Sequence, residues 1–151
     1  MQATTPVSRI MTRKPAVVGL NDTMESVRKI FEKKGFHHIP VVHEGRLTGI
    51  VSYTDYLRLV REVFNNNDQE ARENERILHA MLVKEVMTDH PYSIYEDTTV
   101  EDAMKILLKN EFHALPVVDG ELRLQGIVTS NDLMKVLESI FAQESTEMEN
   151  E

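Results

Sequence analysis

The sequence predicts an α+β protein built from two pseudo-symmetric β-α-β-β-α repeats, and three matched segments carry that prediction. Met11-Thr12-Arg13-Lys14-Pro15 aligns with Met87-Thr88-Asp89-His90-Pro91 at an offset of 76 residues. Phe36-His37-His38-Ile39-Pro40-Val41-Val42 aligns with Phe112-His113-Ala114-Leu115-Pro116-Val117-Val118 at the same offset. After a one-residue insertion, Gly49-Ile50-Val51-Ser52 aligns with Gly126-Ile127-Val128-Thr129, Asp55 falls on Asp132, and Phe64 on Phe141. A period this long marks a duplicated supersecondary unit and not a solenoid array. The division that follows is a first repeat at 1–64, a polar linker with a helix leading onward at 65–82, a second repeat at 83–141, and an acidic tail at 142–151, expected to be frayed.

Each repeat reads alike from its proline onward. A short extended piece (Ala16–Leu20, Tyr92–Tyr95) precedes a helix that opens at an Asp/Thr cluster. Asp22-x-x-Glu25 and Thr98-x-x-Glu101 have capping-box spacing, in which the first side chain takes an orphan helix amide and the glutamate reaches back. Met24, Val27, Ile30 and Phe31, and likewise Val100, Ala103 and Leu107, recur at helical spacing; Gly35 and Asn110 suit a left-handed cap. Two strands follow: His38–Val42 and Arg46–Val51 about a Glu44-Gly45 turn, then Ala114–Val118 and Arg123–Val128 about Asp119-Gly120. A final helix carries Tyr56, Leu59, Val60, Val63 and Phe64, mirrored by Leu133, Val136, Leu137, Ile140 and Phe141. In the linker, Ile77, Leu78, Met81 and Leu82 resume helical spacing.

Composition bounds the function. The 151 residues carry 17 Lys+Arg against 25 Asp+Glu, a formal charge of −8, which suits one compact domain-sized protein. Nucleic-acid binders gain affinity from clustered bases, so the acidity argues against that class. Four of the acids, Glu144, Glu147, Glu149 and Glu151, sit in the tail, which leaves local basic pockets possible elsewhere. The chain has no cysteine, which excludes disulfides, zinc thiolates and thiol nucleophiles and suits a reducing compartment. No apolar run approaches the roughly 18 residues of a membrane span, and Met1–Pro6 lacks the regions of a signal peptide. A cytoplasmic location, without membrane or nucleic-acid partners, is the expectation.

The repeated residues resemble the tandem CBS domain pair, named after cystathionine β-synthase. Those carrying the likeness are Met11-Thr12, Pro15, His38–Val42 and Gly49–Asp55, with Met87-Thr88, Pro91, Ala114–Asp119 and Gly126–Asp132 in the second copy. Their order, spacing and repetition are specific together, though each is weak alone. The resemblance implies two repeats packed as one CBS-domain pair: a non-enzymatic regulatory, energy-sensing module. It would bind AMP, ADP, ATP, S-adenosylmethionine or NAD in the cleft between repeats and act on an unidentified partner in trans. It requires no cofactor besides that regulatory ligand.

Ser52-x-x-Asp55 and Thr129-x-x-Asp132 each stand where a strand ends and a helix begins. A carboxylate there can accept both hydrogen bonds of a ribose diol, while the helix amides favour an anionic phosphate. In isolation such a pattern is more often a helix cap; two instances in equivalent places of a family-like frame reverse that weighting. The resemblance places His37, His38 and His113 toward ligand phosphates, with Lys14 supplying further charge. It makes Val17, Ser93, Ile39 and Leu115 walls of an adenine slot. Because strand neighbours alternate faces, one of His37 and His38 must point away. Ala114 stands where the first copy has His38, so the two sites are expected to differ.

Other chemistry fits poorly. There is no Gly-rich phosphate loop, H-E-x-x-H or nucleophile elbow, so no catalytic or metal residues are assigned. A metal set of His37, His38, His43 and Asp55 lacks a helical ligand pair to support it. The main alternative is a dimerisation module whose clefts hold no ligand. The terminal helices bearing Phe64 and Phe141 are apolar on more than one stripe, which predicts a homodimer through them.

Overall fold

The computed structural model describes residues 4–33, 35–63 and 71–148. After a single 3-10 turn at Val7–Arg9, its elements are β1 (Thr12–Arg13), α1 (Met24–Phe31), β2 (His38–His43), β3 (Arg46–Ser52) and α2 (Tyr53–Val63). Then come α3 (Ala71–Ala80), α4 (Val83–Val86), β4 (Thr88–Asp89), β5 (Ile94–Tyr95), α5 (Val100–Asn110), β6 (Ala114–Val118), β7 (Leu124–Thr129) and α6 (Ser130–Met148). The expected α+β class is what forms. Two compact units result, one from residues of 15–91 and one from residues of 4–14 with 92–148. This division differs from the repeat boundaries read off the sequence. Strand β1, which opens the first repeat, pairs with β7 (Thr12↔Ile127, Arg13↔Gly126), and β4, which opens the second, pairs with β3 (Gly49↔Asp89, Ile50↔Thr88).

Duplicated glycines make this exchange possible. A Cβ built on Gly126 would stand 2.7 Å from the Thr12 carbonyl oxygen and 2.8 Å from Met11 Sδ; one on Gly49 would overlap Met87 Sδ and lie 3.0 Å from the Thr88 carbonyl oxygen. The repeated Met-Thr and Gly-Ile-Val signatures are therefore two sides of one contact, in which a bare backbone lets a short strand close on the sheet. The leading segments are duplicated as well. Val7 N donates to Thr98 O and Val100 N to Thr5 O, both at 2.8 Å; Val83 N donates to Asp22 O at 2.8 Å and Met24 N to Met81 O at 2.9 Å. Val7 and Val83 are wholly buried.

In the unit of residues 15–91 the sheet runs β2-β3-β4, with Val18 bridging Val41 in parallel beside β2. In the other unit it runs β1-β7-β6-β5, β5 parallel to β6. Each sheet has its own core: Val18, Met24, Val27, Ile39, Val41, Val51 and Val83 in the first, Val7, Ile94, Ala103, Leu107, Leu115, Val117 and Val128 in the second. Helix α3 lies against α1, and its Leu78 enters the first core.

Several local expectations shift by a residue or more. Helix α5 is capped by Thr99, whose Oγ1 accepts from Asp102 N at 3.1 Å and donates to Asp102 Oδ2 at 2.8 Å, so the capping pair is Thr99/Asp102 and not Thr98/Glu101. Helix α1 follows Thr23 without a side-chain cap, and Asp22 Oδ2 instead accepts from Gly19 N. Asn110 stays helical, donating to Ile106 O, and the left-handed residue is Glu111 (φ 54°). The first hairpin turns at Glu44 (φ 49°) and Gly45 (φ 78°), both left-handed as a two-residue turn demands. The inserted residue makes the second turn longer: Asp119 Oδ1 accepts from Glu121 N and Arg123 N, and Leu122 (φ 63°) takes the left-handed position in place of Gly120. Helix α6 continues to Met148, so the segment expected as a frayed tail from 142 is helical that far. Phe64 lies outside the described residues.

Candidate ligand-binding site

Both Ser/Thr-x-x-Asp motifs fall at a strand-to-helix junction, β3 to α2 and β7 to α6. At the first, Asp55 Oδ2 accepts from Ser52 N (3.1 Å) and Ser52 Oγ (2.6 Å), and Ser52 Oγ accepts from Asp55 N (3.0 Å). At the second, Asp132 Oδ2 accepts from Thr129 N and Thr129 Oγ1, both at 2.8 Å, and Thr129 Oγ1 accepts from Asp132 N at 3.4 Å. The capping geometry is therefore real in both units, and it takes up one carboxylate oxygen. The other remains: Asp55 Oδ1 lies 3.6 Å from Arg58, and Asp132 Oδ1 has no hydrogen bond among the described residues. The cap thus engages one oxygen of each carboxylate and leaves Oδ1 as the acceptor available to a diol. All four residues are half-buried.

The histidine before each strand is tied to the same junction. His37 O accepts from Tyr53 N at 2.8 Å, and His113 O accepts from Ser130 N at 3.0 Å and Ser130 Oγ at 3.1 Å. Both rings are exposed, and that of His37 meets Tyr53 edge-on at 6.0 Å. His38, half-buried, pairs across the sheet with Ser52, beside the first acid; Ala114 holds the matching place opposite Thr129 and is buried. The two sites are chemically different at this position.

Lys14 and His90, each followed by proline, are both left-handed (φ 50° and 45°) and exposed. The strand exchange puts Lys14 in the unit of Asp132 and His90 in the unit of Asp55. Val17 is 45% exposed and Ser93 half-buried, each next to an inward residue, Val18 or Ile94. Ile39 and Leu115 do not fit the expectation of an adenine wall. Both are wholly buried in the core of their own unit, where the inward alternation of β2 and β6 directs them.

The sequence reading missed an exposed aromatic pair, Tyr92 and Phe112, with ring centroids 6.1 Å apart. It also missed an apolar stripe of Met104 and Leu108 on α5 with Phe112 just past its end, visible as apolar residues at i, i+4 and i+8. Among the described residues no three His, Asp or Glu side chains are grouped as a metal site; His43 ends β2 about 17 Å from His38. No described helix is long and apolar enough to cross a membrane.

Two sheets with helices, each with a capped acid where a strand meets a helix, define a duplicated α+β architecture. The CBS domain family model matches residues 7–62 and 83–139, and the chain belongs to that family as a tandem pair. Protein MJ1225 of Methanocaldococcus jannaschii is 31% identical over 125 residues, 83% of this chain but 44% of that protein, so the chain spans less than half of this relative. CBSX2 of Arabidopsis thaliana, solved with AMP, is similar at 27% identity and a TM-score of 0.73, covering 90% of this chain and 98% of that one. The CBS domain pair of MJ0100, solved with 5′-methylthioadenosine and S-adenosyl-L-methionine, gives 25% identity and a TM-score of 0.71, with 90% and 98% covered.

Proposed function

We infer that the chain is a non-catalytic regulatory module that binds an adenine nucleotide or other adenosyl ligand. Each helix-start carboxylate takes a ribose hydroxyl, and the ligand modulates a partner protein in trans. The observation that carries this reading is the Asp132 carboxylate at the amino end of α6, fixed through Oδ2 and its backbone N by three hydrogen bonds with Thr129 while Oδ1 makes none among the described residues. A carboxylate fixed in this way accepts a hydroxyl without reorganising, and the helix amides beside it favour an anion. The CBS pairs solved with AMP and with S-adenosyl-L-methionine support the ligand class. Of the phosphate-facing candidates, His37 and His38 accompany Asp55, while His113 and Lys14 accompany Asp132. The module acts as a homodimer in the cytoplasm.

Titration calorimetry with AMP, ATP and S-adenosylmethionine tests this. Binding of at least one, weakened by substitution of Asp55 or Asp132, is the expected result. Silence with all three overturns the sensor reading in favour of a ligand-free dimerisation module.

A further inference from the structure

The two units keep their capped acids but differ in the aromatic residues beside them. By the duplication, Ala16 matches Tyr92 and Phe36 matches Phe112. Phe36 packs against the core of its own unit, and Ala16 offers no ring. Phe112 is instead 39% exposed and Tyr92 52%, and their rings, 6.1 Å apart and tilted by 44°, leave aromatic surface open to water. Phe112 is pinned through its backbone. Glu111 takes the left-handed position at the end of α5, Phe112 N donates to Leu107 O at 3.1 Å, and the carbonyl of the next residue, His113, accepts from Ser130 N at the head of α6. Its ring lines an apolar groove of about 830 Å³ between α5 and α6, together with Met104, Leu108 and Leu133. Tyr92 reaches the same end of the unit from the sheet. Ile94 pairs with Val117 in parallel, so two residues earlier Tyr92 stands level with Leu115, beside Ala114, and Ala114 pairs across β6 and β7 with Thr129. Two strand spacings of about 4.8 Å put the Tyr92 backbone on the order of 10 Å from that of Thr129.

We propose that Tyr92 and Phe112 form the base-stacking surface of the Asp132 site and make that site, but not the Asp55 site, selective for a purine over a pyrimidine. This rests on the ligand reading above and deepens it. A nucleoside holds its flat base beside its ribose diol, and a gap of this size admits the ribose at Asp132 Oδ1 with the base over the tyrosine ring. Ala114, on the strand between them, carries only a methyl group where the other unit has the His38 imidazole. Every base has a face to stack, and preference among bases follows stacking strength, which favours the larger two-ring purines. At Asp55 the neighbouring ring is already engaged: Tyr53 meets Phe31 edge-on at 5.4 Å, His37 edge-on at 6.0 Å and Tyr56 face to face at 6.0 Å.

Calorimetry on the full chain tests the proposal, with Asp55→Asn as the parent so that binding is read at Asp132, and with AMP, ATP and S-adenosylmethionine set against UMP and UTP. At least one adenosyl compound should bind the parent, AMP or ATP at least tenfold more tightly than its uridine counterpart. Adding Tyr92→Ala should weaken adenosyl binding about tenfold or more, the loss of one stacked base, and narrow the purine preference, while Tyr92→Phe stays within twofold. The adenine ring protons should shift upfield in the ring current of the parent and of Tyr92→Phe, and not of Tyr92→Ala. A Tyr92→Ala variant that binds within twofold of the parent, a parent that takes UMP as tightly as AMP, or a parent silent with every compound while the wild type binds, overturns the stacking surface and leaves the adenosyl reading standing. A wild type silent with all the adenosyl compounds overturns both.

Discussion

Replacing Asp132 separates capping from ligand binding, because the two roles use different oxygens. Asp132→Ala removes both bonds that Oδ2 accepts from Thr129. Loss of such a cap costs about 1 kcal/mol, a fall of about 2–4 °C in melting temperature for a chain of this size. Asp132→Asn retains a carbonyl oxygen for the cap and should melt within about 1–2 °C of wild type. Affinity behaves otherwise. A charge-assisted bond from a ribose hydroxyl is worth roughly 1.5–3 kcal/mol and a neutral one roughly 0.5–1.5 kcal/mol. The asparagine variant should therefore lose about tenfold in affinity, and the alanine variant about ten- to a hundredfold. Calorimetry with the adenosyl ligand and its 2′,3′-dideoxy analogue closes a cycle: the analogue binds wild type more weakly by a similar factor but loses nothing further against Asp132→Asn. If both variants bind within twofold of wild type while only alanine melts early, the carboxylate is a cap and nothing more.

The strand exchange predicts that Gly126→Ala and Gly49→Ala each destabilise by about 1–3 kcal/mol, as overpacked cores do. A second change to alanine should rescue Gly49→Ala, through Met87, better than Gly126→Ala, through Met11. The reason is that the flexible Met87 side chain is the nearer obstacle at Gly49, whereas a backbone carbonyl at 2.7 Å remains at Gly126; equal rescue in thermal melts would refute this. Leu122→Gly should raise the melting temperature by about 2–4 °C, since a left-handed leucine costs roughly 1–2 kcal/mol and glycine returns only part of that. Glu25 is held below the usual carboxylate range by its hydrogen bond to the Arg28 guanidinium, against the opposing effect of burial. Its contribution to stability is therefore present above the ordinary glutamate pKa, about 4.3, and lost as pH falls through the lower folded value. Denaturation of Glu25→Gln against wild type should show a gap at neutral pH that closes in acid; a constant gap would deny the pairing.

Much of the fold was legible because duplication repeats those features that short-range chemistry dictates. The Glu44-Gly45 turn, the β2–β3 and β6–β7 hairpins and the final helices follow from alternation and turn residues that any window of a few residues displays. What was not legible depended on distant chain. Nothing local to Met11-Thr12-Arg13 says that β1 will lie against Gly126, more than a hundred residues away, and so the exchange of leading strands between the repeats was not foreseen. Ile39 and Leu115 were assigned to an adenine wall by the family resemblance, yet both lie wholly buried in the cores of their own units. The capped carboxylates were anticipated in type and place. That one oxygen of each is already engaged depends on reciprocal geometry, and spacing alone leaves this open.

Where the two units agree and where they differ is itself an argument about function. Among the residues kept identical are Gly49 and Gly126 under a crossing strand, Val7 and Val83 at the buried leading turn, and Asp55 and Asp132 at a helix start. The differences fall beside the capped acids and on helix faces. His38 becomes Ala114 opposite the capping hydroxyl, and the Glu25–Arg28–Glu32 triad gives way to an open Met104–Leu108 stripe. Since α6 both carries Asp132 at its head and walls the groove along its side, a ligand that shifts the head of α6 also shifts one side of the groove. The unit with α2 lacks such a link, because Tyr53, Tyr56 and the ion triad already fill its matching face.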